Sequence, residues 1–285
     1  MAYRPPRFLF RRYEILRSIG AGRRFLEVGA ADLSLSIDLL DRFDEGLAID
    51  LCDDLEESYA RLPRELRARL AVRRVDVETV AREATNHAAF DAVVCCEVLE
   101  HVEDDRGFLR ALRACLAPGG RLALSVPSRM KYWSRHDEVV GHLRRYEKHE
   151  LKQLLEEAGF EAVDIRSYGF PWVNVLRIPR LLLAKRQERE RASWSQREQT
   201  IRSNHQQIPE RLASSRIGLI VNSFTVAPLA FLSRAFGSFD WSDGYVVLAR
   251  ASRVDHGEAP HTATRESAPR TSAAPIASTR TVVNA

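Results

Sequence analysis

The stretch "FLEVGAADLSLS", residues 25–36, decides how the chain folds. Its first part is a short, almost wholly apolar run of strand-forming residues, which reads as a strand buried on both faces. Gly29 marks a tight turn, and the following run, which continues through "LSLSIDLLDRF", reads as a helix. A strand that passes through a glycine turn into a helix is the opening of a β-α-β unit. Such units build parallel sheets with helices on both faces. The next apolar run, "EGLAID", ends on Asp50, an acid placed to accept hydrogen bonds from ribose hydroxyls, while the glycine turn lets backbone N–H groups approach a ligand. A nucleotide-like cofactor is expected.

Working outward, the same alternation recurs. "LAVRRVDV" and "FDAVVCCE" read as the third and fourth strands, "DRGFLRALRACLAPGG" as a helix stopped by Pro118-Gly119-Gly120, and "RLALSVPS" as the fifth strand. "EKHELKQLLEEAGF" reads as a helix ending at Gly159, and "EAVDIRSYG" and "DGYVVLAR" as the last two strands, with residues 170–240 inserted between them. Residues 1–250 are expected to form one domain. Residues 251–285 are rich in Ala, Ser, Thr, Pro and Arg, have no aromatic residue, and are expected to be a disordered tail.

At 285 residues, with 45% hydrophobic and 29% charged positions, the chain can bury a large core. Its four cysteines show no C-x-x-C spacing, which excludes a zinc knuckle or a disulfide framework and suits a reducing cytoplasm. The basic N-terminus lacks a long apolar segment, so a secretory leader is not expected. The net charge of +4 is concentrated between Arg177 and Arg216.

The ordered set "LEVGA", "GLAID", "RRVDV", "FDAVVCCEVLEHV" and "LAPGGRLALSVPS" resembles the class I S-adenosylmethionine-dependent methyltransferases over roughly residues 8–170 and the last strand. The resemblance implies an α/β, Rossmann-like doubly wound seven-stranded sheet with a helical insertion before the last strand, and S-adenosylmethionine as cofactor. It implies that Glu27 and Gly29 frame the methionine end, Asp50 and Leu51 meet the ribose, Asp76 and Val77 lie near the adenine, and Cys96 and Glu97 sit by the sulfonium. Phe10 and Tyr13 are expected to close the pocket from an N-terminal helix. The family's turn usually carries three alternating glycines, whereas this chain reads Gly29-Ala30-Ala31-Asp32-Leu33. Ala31 is expected to be tolerated with a negative φ, and Leu33 is expected to crowd the cofactor. A non-catalytic protein of this fold, binding the cofactor or docking on a membrane, is the alternative. No G-x-G-x-x-G fingerprint for NAD is present.

Glu97, Glu100 and His101 have the i, i+3, i+4 spacing that puts three side chains on one face if a helix starts there. With His142, from the segment after the fifth strand, they would offer two carboxylates and two imidazoles to Mg²⁺, Mn²⁺, Zn²⁺ or Fe²⁺. This E-x-x-E-H set with a later histidine resembles the metal-binding group of small-RNA 3′-end 2′-O-methyltransferases, and similar residues occur in ubiquinone-biosynthesis O-methyltransferases. A divalent metal, Mg²⁺ or Zn²⁺, held by Glu97, Glu100, His101 and His142 is therefore expected to activate a hydroxyl. Without it, His101, His142 or Glu97 would carry the proton chemistry.

The expected acceptor is a small, hydrophobic or vicinal-hydroxyl molecule bound under the insertion. Nucleic acid is disfavoured because basic and acidic residues alternate in "KRQERERASWSQREQTIR". The apolar stretches "FPWVNVLRIPRLLLAK" and "IGLIVNSFTVAPLAFLSRAF" are expected to form a lid or a peripheral membrane contact. His136, Arg144, Arg145 and Tyr146 are expected to be exposed beside the acceptor. Sequence leaves the oligomeric state open.

Overall fold

The computed structural model describes residues 4–175 and 222–253. Seven strands, β1 (Gly22–Val28), β2 (Phe43–Ile49), β3 (Leu70–Arg73), β4 (Phe90–Cys96), β5 (Leu116–Pro127), β6 (Phe160–Ser167) and β7 (Gly244–Ala251), form one sheet in the order β3-β2-β1-β4-β5-β7-β6. β1 to β5 pair in parallel, and β7 is antiparallel to both β5 and β6. The helices are α1 (Pro6–Ser18), α2 (Ser34–Leu39), α3 (Leu55–Ala60), α4 (Arg64–Arg67), α5 (Val77–Arg82), α6 (Asp105–Cys115), α7 (Arg135–Val140), α8 (Lys148–Glu157), α9 (Trp172–Val175) and α10 (Ser223–Ser233).

Helices cover both faces, which is why the strands read as unbroken apolar runs. Successive side chains of a strand point to opposite faces. Leu26, Val93, Leu122 and Val247 accordingly pack with Phe108, Leu109 and Leu112 of α6 and Leu151 and Leu155 of α8. Their neighbours Phe25, Ala92, Val94 and Val246 pack on the other side with Phe10 and Ile15 of α1 and Ala230 of α10.

Two boundaries differ from expectation for local reasons. "LAPGG" opens β5 instead of ending α6, because Ala117 precedes a proline and is steered away from helical geometry, and Gly119 takes φ +75°. The helix after β1 starts at Ser34, since Leu33 has φ +62°. Gly159, at φ +87°, follows α8 as expected.

The chain divides into Met1–Val254 and Asp255–Ala285. Of the expected insertion, residues 176–221 lie outside the described residues, as does most of the expected tail; α9 and α10 are its described ends. No helix among the described residues is long and apolar enough to cross a membrane.

Strand order reverses between β1 and β4: β2 and β3 extend the sheet one way, β5 the other. At such a point the loops leaving the two strands part and open a crevice at their carboxyl ends, where ligands of open α/β sheets bind. Gly29 leaves β1 there and Glu97 leaves β4.

Candidate functional site

The turn after β1 is shaped by its neighbours. Gly29 has φ +78°, and a Cβ on it would stand 2.4 Å from Val98 Cγ2, so only glycine fits. Asp50, at the end of β2, accepts from the N–H of Ala31 on Oδ2 (2.8 Å) and from that of Cys52 on Oδ1 (2.9 Å). The acid expected to meet a ribose thus also pins the glycine turn. Ala31 has φ +47°, contrary to the negative value expected, and Leu33 is left-handed too. The tension at Leu33 is resolved by burial: its side chain is fully enclosed in the core with Leu35 and Leu39 and does not line the cavity, so it does not crowd the crevice.

A cavity of about 260 Å³ opens at the crevice, walled by Gly29, Asp50, Leu51, Asp76, Val77, Glu97 and His101 among others. Asp76 caps α5, its Oδ1 accepting from the N–H of Thr79 at 2.7 Å. Phe10 and Tyr13 do not line this cavity; they belong to the α1 core behind it. Ala31, Glu27 and Cys96 are also absent from its walls. Glu27 is buried, accepts from the Ser36 hydroxyl, and is raised by burial to about 8. Burial likewise raises the Cys96 thiol to about 11, which makes it a poor nucleophile.

The segment after β4 departs from the expected helix. Glu97 takes φ +57° and Leu99–His101 forms one 3₁₀ turn, so the three side chains do not share a helix face. Glu97 accepts from the Ser125 hydroxyl (3.1 Å) and meets Arg7 (3.0 Å) and Arg11 (3.4 Å), both reaching in from α1. Burial would raise its carboxyl, but the Arg7 and Arg11 guanidinium groups outweigh it and hold Glu97 ionised. Arg7 Nε also donates to Tyr168 Oη at 2.9 Å.

Glu100, Glu97's close neighbour, is in the opposite state. It is fully buried and neither carboxyl oxygen has a hydrogen-bond partner. Burial, then the charge on Glu97, pushes its carboxyl well above the usual range.

Two imidazoles stand against it. His101 Nδ1 lies 3.1 Å from the Gly141 carbonyl and His142 Nδ1 lies 2.8 Å from Asp137 Oδ1. A carbonyl and an ionised carboxylate only accept, so both Nδ1 atoms carry protons, and in the neutral form of each ring the lone pair lies on Nε2. Burial lowers His101 to about 4 and keeps it neutral. One donor atom from each of Glu100, His101 and His142 lies within 4.8 Å of the others. The loop carrying His142 is docked by Leu143 N–H donating to the Glu100 carbonyl at 2.8 Å.

Sequence reasoning missed Arg7, Arg11, Ser125 and Asp137. The only signal for the arginines was their i, i+4 spacing on α1. Arg145 and Tyr146, expected to be exposed, are each 3% exposed and structural. Arg145 pairs with Asp137 at 2.7 Å, and Tyr146 donates to the Leu99 carbonyl at 3.3 Å. Arg144 pairs with Asp105 at 2.9 Å, and His136 is half-buried.

A profile of the methyltransferase domain family matches residues 2–165. A ubiquinone biosynthesis O-methyltransferase of Xanthomonas axonopodis pv. citri is 31% identical over 172 residues, 55% of this chain and 71% of that protein. One of Xanthomonas oryzae pv. oryzae is 38% identical over 109 residues, 38% of this chain and 45% of the relative. Among solved structures, a Haemonchus contortus phosphoethanolamine N-methyltransferase in complex with S-adenosyl-L-methionine superposes with a TM-score of 0.53 at 16% identity, covering 85% of this chain and 52% of that one. A [4+2]-cyclase superposes at 0.52 with 18% identity, covering 85% and 80%. These two likenesses speak for the fold alone.

Proposed function

The chain belongs to the methyltransferase domain family and is an S-adenosylmethionine-dependent enzyme; from that premise we propose that it methylates an oxygen of a small hydrophobic or vicinal-hydroxyl acceptor, with a divalent cation held by Glu100, His101 and His142. The observation that carries the reading is the Glu100 carboxyl, buried without a hydrogen bond between two imidazoles of matching tautomer. A buried polar group left unpaired costs roughly 1–3 kcal/mol, so a chain that keeps one has a use for it.

The donor set fits a metal. Two imidazoles and one carboxylate suit Zn²⁺, Mn²⁺ or Fe²⁺ better than Mg²⁺, which prefers all-oxygen surroundings. Each Nδ1 is already committed to an acceptor, as ligating histidines require. Glu97, engaged by Arg7 and Arg11, is left outside the ligand set and puts a fixed negative charge on the cavity wall. A cation there supplies a lowered hydroxyl pKa. His101 lines both the cavity and the cluster, so a hydroxyl held at the cluster faces the cofactor crevice. The names of the ubiquinone biosynthesis relatives support oxygen as the accepting atom.

The test is isothermal titration of metal-stripped protein with Zn²⁺ and with S-adenosylhomocysteine, for wild type and Glu100→Gln. Metal binding is expected to vanish in the variant with S-adenosylhomocysteine affinity unchanged, and turnover of a catechol-type acceptor is expected to stop in chelator. Full turnover in chelator defeats the metal half of the reading.

A second reading is favoured by Phe224, Phe231, Leu232, Phe239 and Trp241, which stand at 46% to 80% exposure. Tyr132 donates to the Trp241 carbonyl at 3.1 Å and carries Lys131 over its own ring, near the stacked Phe239 and Trp241. The pairing of aromatic residues with a cation suits an anionic bilayer. Co-sedimentation with phosphatidylserine vesicles that weakens at high salt is expected; no co-sedimentation rejects the contact.

A further inference from the structure

We propose that Asp137 is a positioning residue of the site: it fixes His142 as the Nδ1–H tautomer and so turns the lone pair of Nε2 toward Glu100. The inference deepens the metal reading and rests on it only for what Nε2 then does.

The geometry is over-determined. Asp137 Oδ2 accepts from the backbone N–H (2.8 Å) and hydroxyl (2.9 Å) of Ser134, closing the capping box of α7. Its Oδ1 accepts from Arg145 Nε (2.8 Å), with Arg145 Nη2 at 2.7 Å, and from His142 Nδ1 (2.8 Å). Ser134 and Arg145 alone would satisfy a structural carboxylate. The histidine is an additional partner, and the chain bends to supply it. Gly141, at φ +81°, ends α7 and turns the backbone back, so that His142 N–H donates to the Asp137 carbonyl at 2.9 Å while its ring reaches the Asp137 side chain.

The ring can therefore swing neither about its backbone nor about its own axis. It stands edge-on to His101, with centroids 4.8 Å apart at 75°, and its Nε2 lies 3.7 Å from Glu100 Oε1. Arg145 is 3% exposed and meets the carbonyls of Ser128 (3.0 Å) and Asp243 (3.3 Å). It clamps Asp137 from behind with a charge that cannot be lost at working pH. Free imidazole has no such preference built in; here the acceptor-only carboxylate decides which nitrogen is exposed to a ligand. Partners of this kind are worth about 10- to 100-fold in metal affinity when removed.

The test is ¹⁵N-histidine NMR on the full chain, with His142 assigned by loss of its signals in His142→Gln. The wild type is expected to show His142 protonated on Nδ1 and bare on Nε2; finding the proton on Nε2 overturns the proposal without any further variant. Asp137→Ala leaves Arg145 buried and unpaired and risks unfolding, so the double variant Asp137→Ala/Arg145→Met, which removes both charges, is the informative one. With folding checked by circular dichroism, it is expected to lose the Nδ1–H preference, to bind Zn²⁺ about 10- to 100-fold more weakly, and to bind S-adenosylhomocysteine as the wild type does. An unchanged tautomer in the double variant means Asp137 is only structural and overturns the proposal. If the wild type binds no Zn²⁺ but shows the tautomer and loses it in the double variant, the metal reading fails and the assignment to Asp137 stands.

Discussion

We propose that Glu27, buried beside the glycine turn and off the walls of the described cavity, meets the methionine end of the cofactor, and its carboxyl makes that role measurable. Burial raises its carboxyl from the ordinary 4.5 to about 8, even though Ser36 donates to it. At pH 7 it is then roughly nine-tenths protonated. The methionine end of the cofactor carries an ammonium group, and a cation placed beside Glu27 favours the ionised form. Binding should therefore release close to one proton at pH 7 and very few at pH 9. It should also tighten by about 100-fold between pH 6 and pH 9, since each pH unit below the folded pKa costs a factor of ten. Stability moves the other way. A folded pKa above the unfolded one favours the protonated state, so the contribution is fully present below pH 4.5 and is lost as pH rises through 8, on the order of 5 kcal/mol in all. Calorimetry of S-adenosylhomocysteine binding in two buffers of different ionisation enthalpy, on wild type and Glu27→Gln, reads the proton count directly, and ionisation of the ligand cancels in the difference. Glu27→Gln is expected to bind weakly, release no such proton, and unfold at a higher temperature than wild type at pH 9. Equal proton release by the two proteins at pH 7 refutes the reasoning.

The remaining predictions concern how the site is built. Gly29→Ala should lower stability and abolish measurable S-adenosylhomocysteine binding, because its Cβ meets Val98 Cγ2 at 2.4 Å; adding Val98→Ala should recover the clash but not the roughly 1–2 kcal/mol of left-handed backbone cost. Leu33→Gly removes about that same strain but deletes a buried leucine, which costs roughly 2–5 kcal/mol, so thermal unfolding should show net destabilisation. A stabilised variant means the leucine is not an anchor. Arg7→Met should destabilise the protein at neutral pH by less than the roughly 3–5 kcal/mol of a fully buried pair, because Glu97 is partly exposed and keeps Arg11, and Arg7→Met/Glu97→Gln should regain most of it in denaturant titration.

Where the chain was legible, the reason is local. β1 and β4 are covered on both faces, so "FLEV" and "AVVCC" carry their burial in plain apolar composition, and Gly29 announces a turn no other residue could make. Glu100, His101 and His142 stood out because the chemistry needs those residue types, and the structure does bring them together. What sequence concealed is set by distant partners. The left-handed backbones of Ala31, Leu33 and Glu97 break the usual preference of residues with a Cβ and persist only because packing over-determines them. Glu97 left-handed and a single 3₁₀ turn replace the helix that the spacing suggested. Arg7 and Arg11 are unremarkable on a basic helix until Glu97, far along the chain, is placed against them. Asp137 reads as an ordinary helix-capping acid, since nothing in "HDEVVGH" states that Gly141 folds the chain back on it.

Helix α1 supplies the positive charge for an acid that leaves β4, yet it packs on α10 and β7, which lie near the other end of the described chain. On the ribosome α1 emerges well before these docking surfaces. Until then the central strands can assemble while Glu97 relies on water or protonation instead of arginine. Completion of the charged centre therefore waits for α10 and β7, and a nascent chain halted before residue 244 should hold a sheet without it.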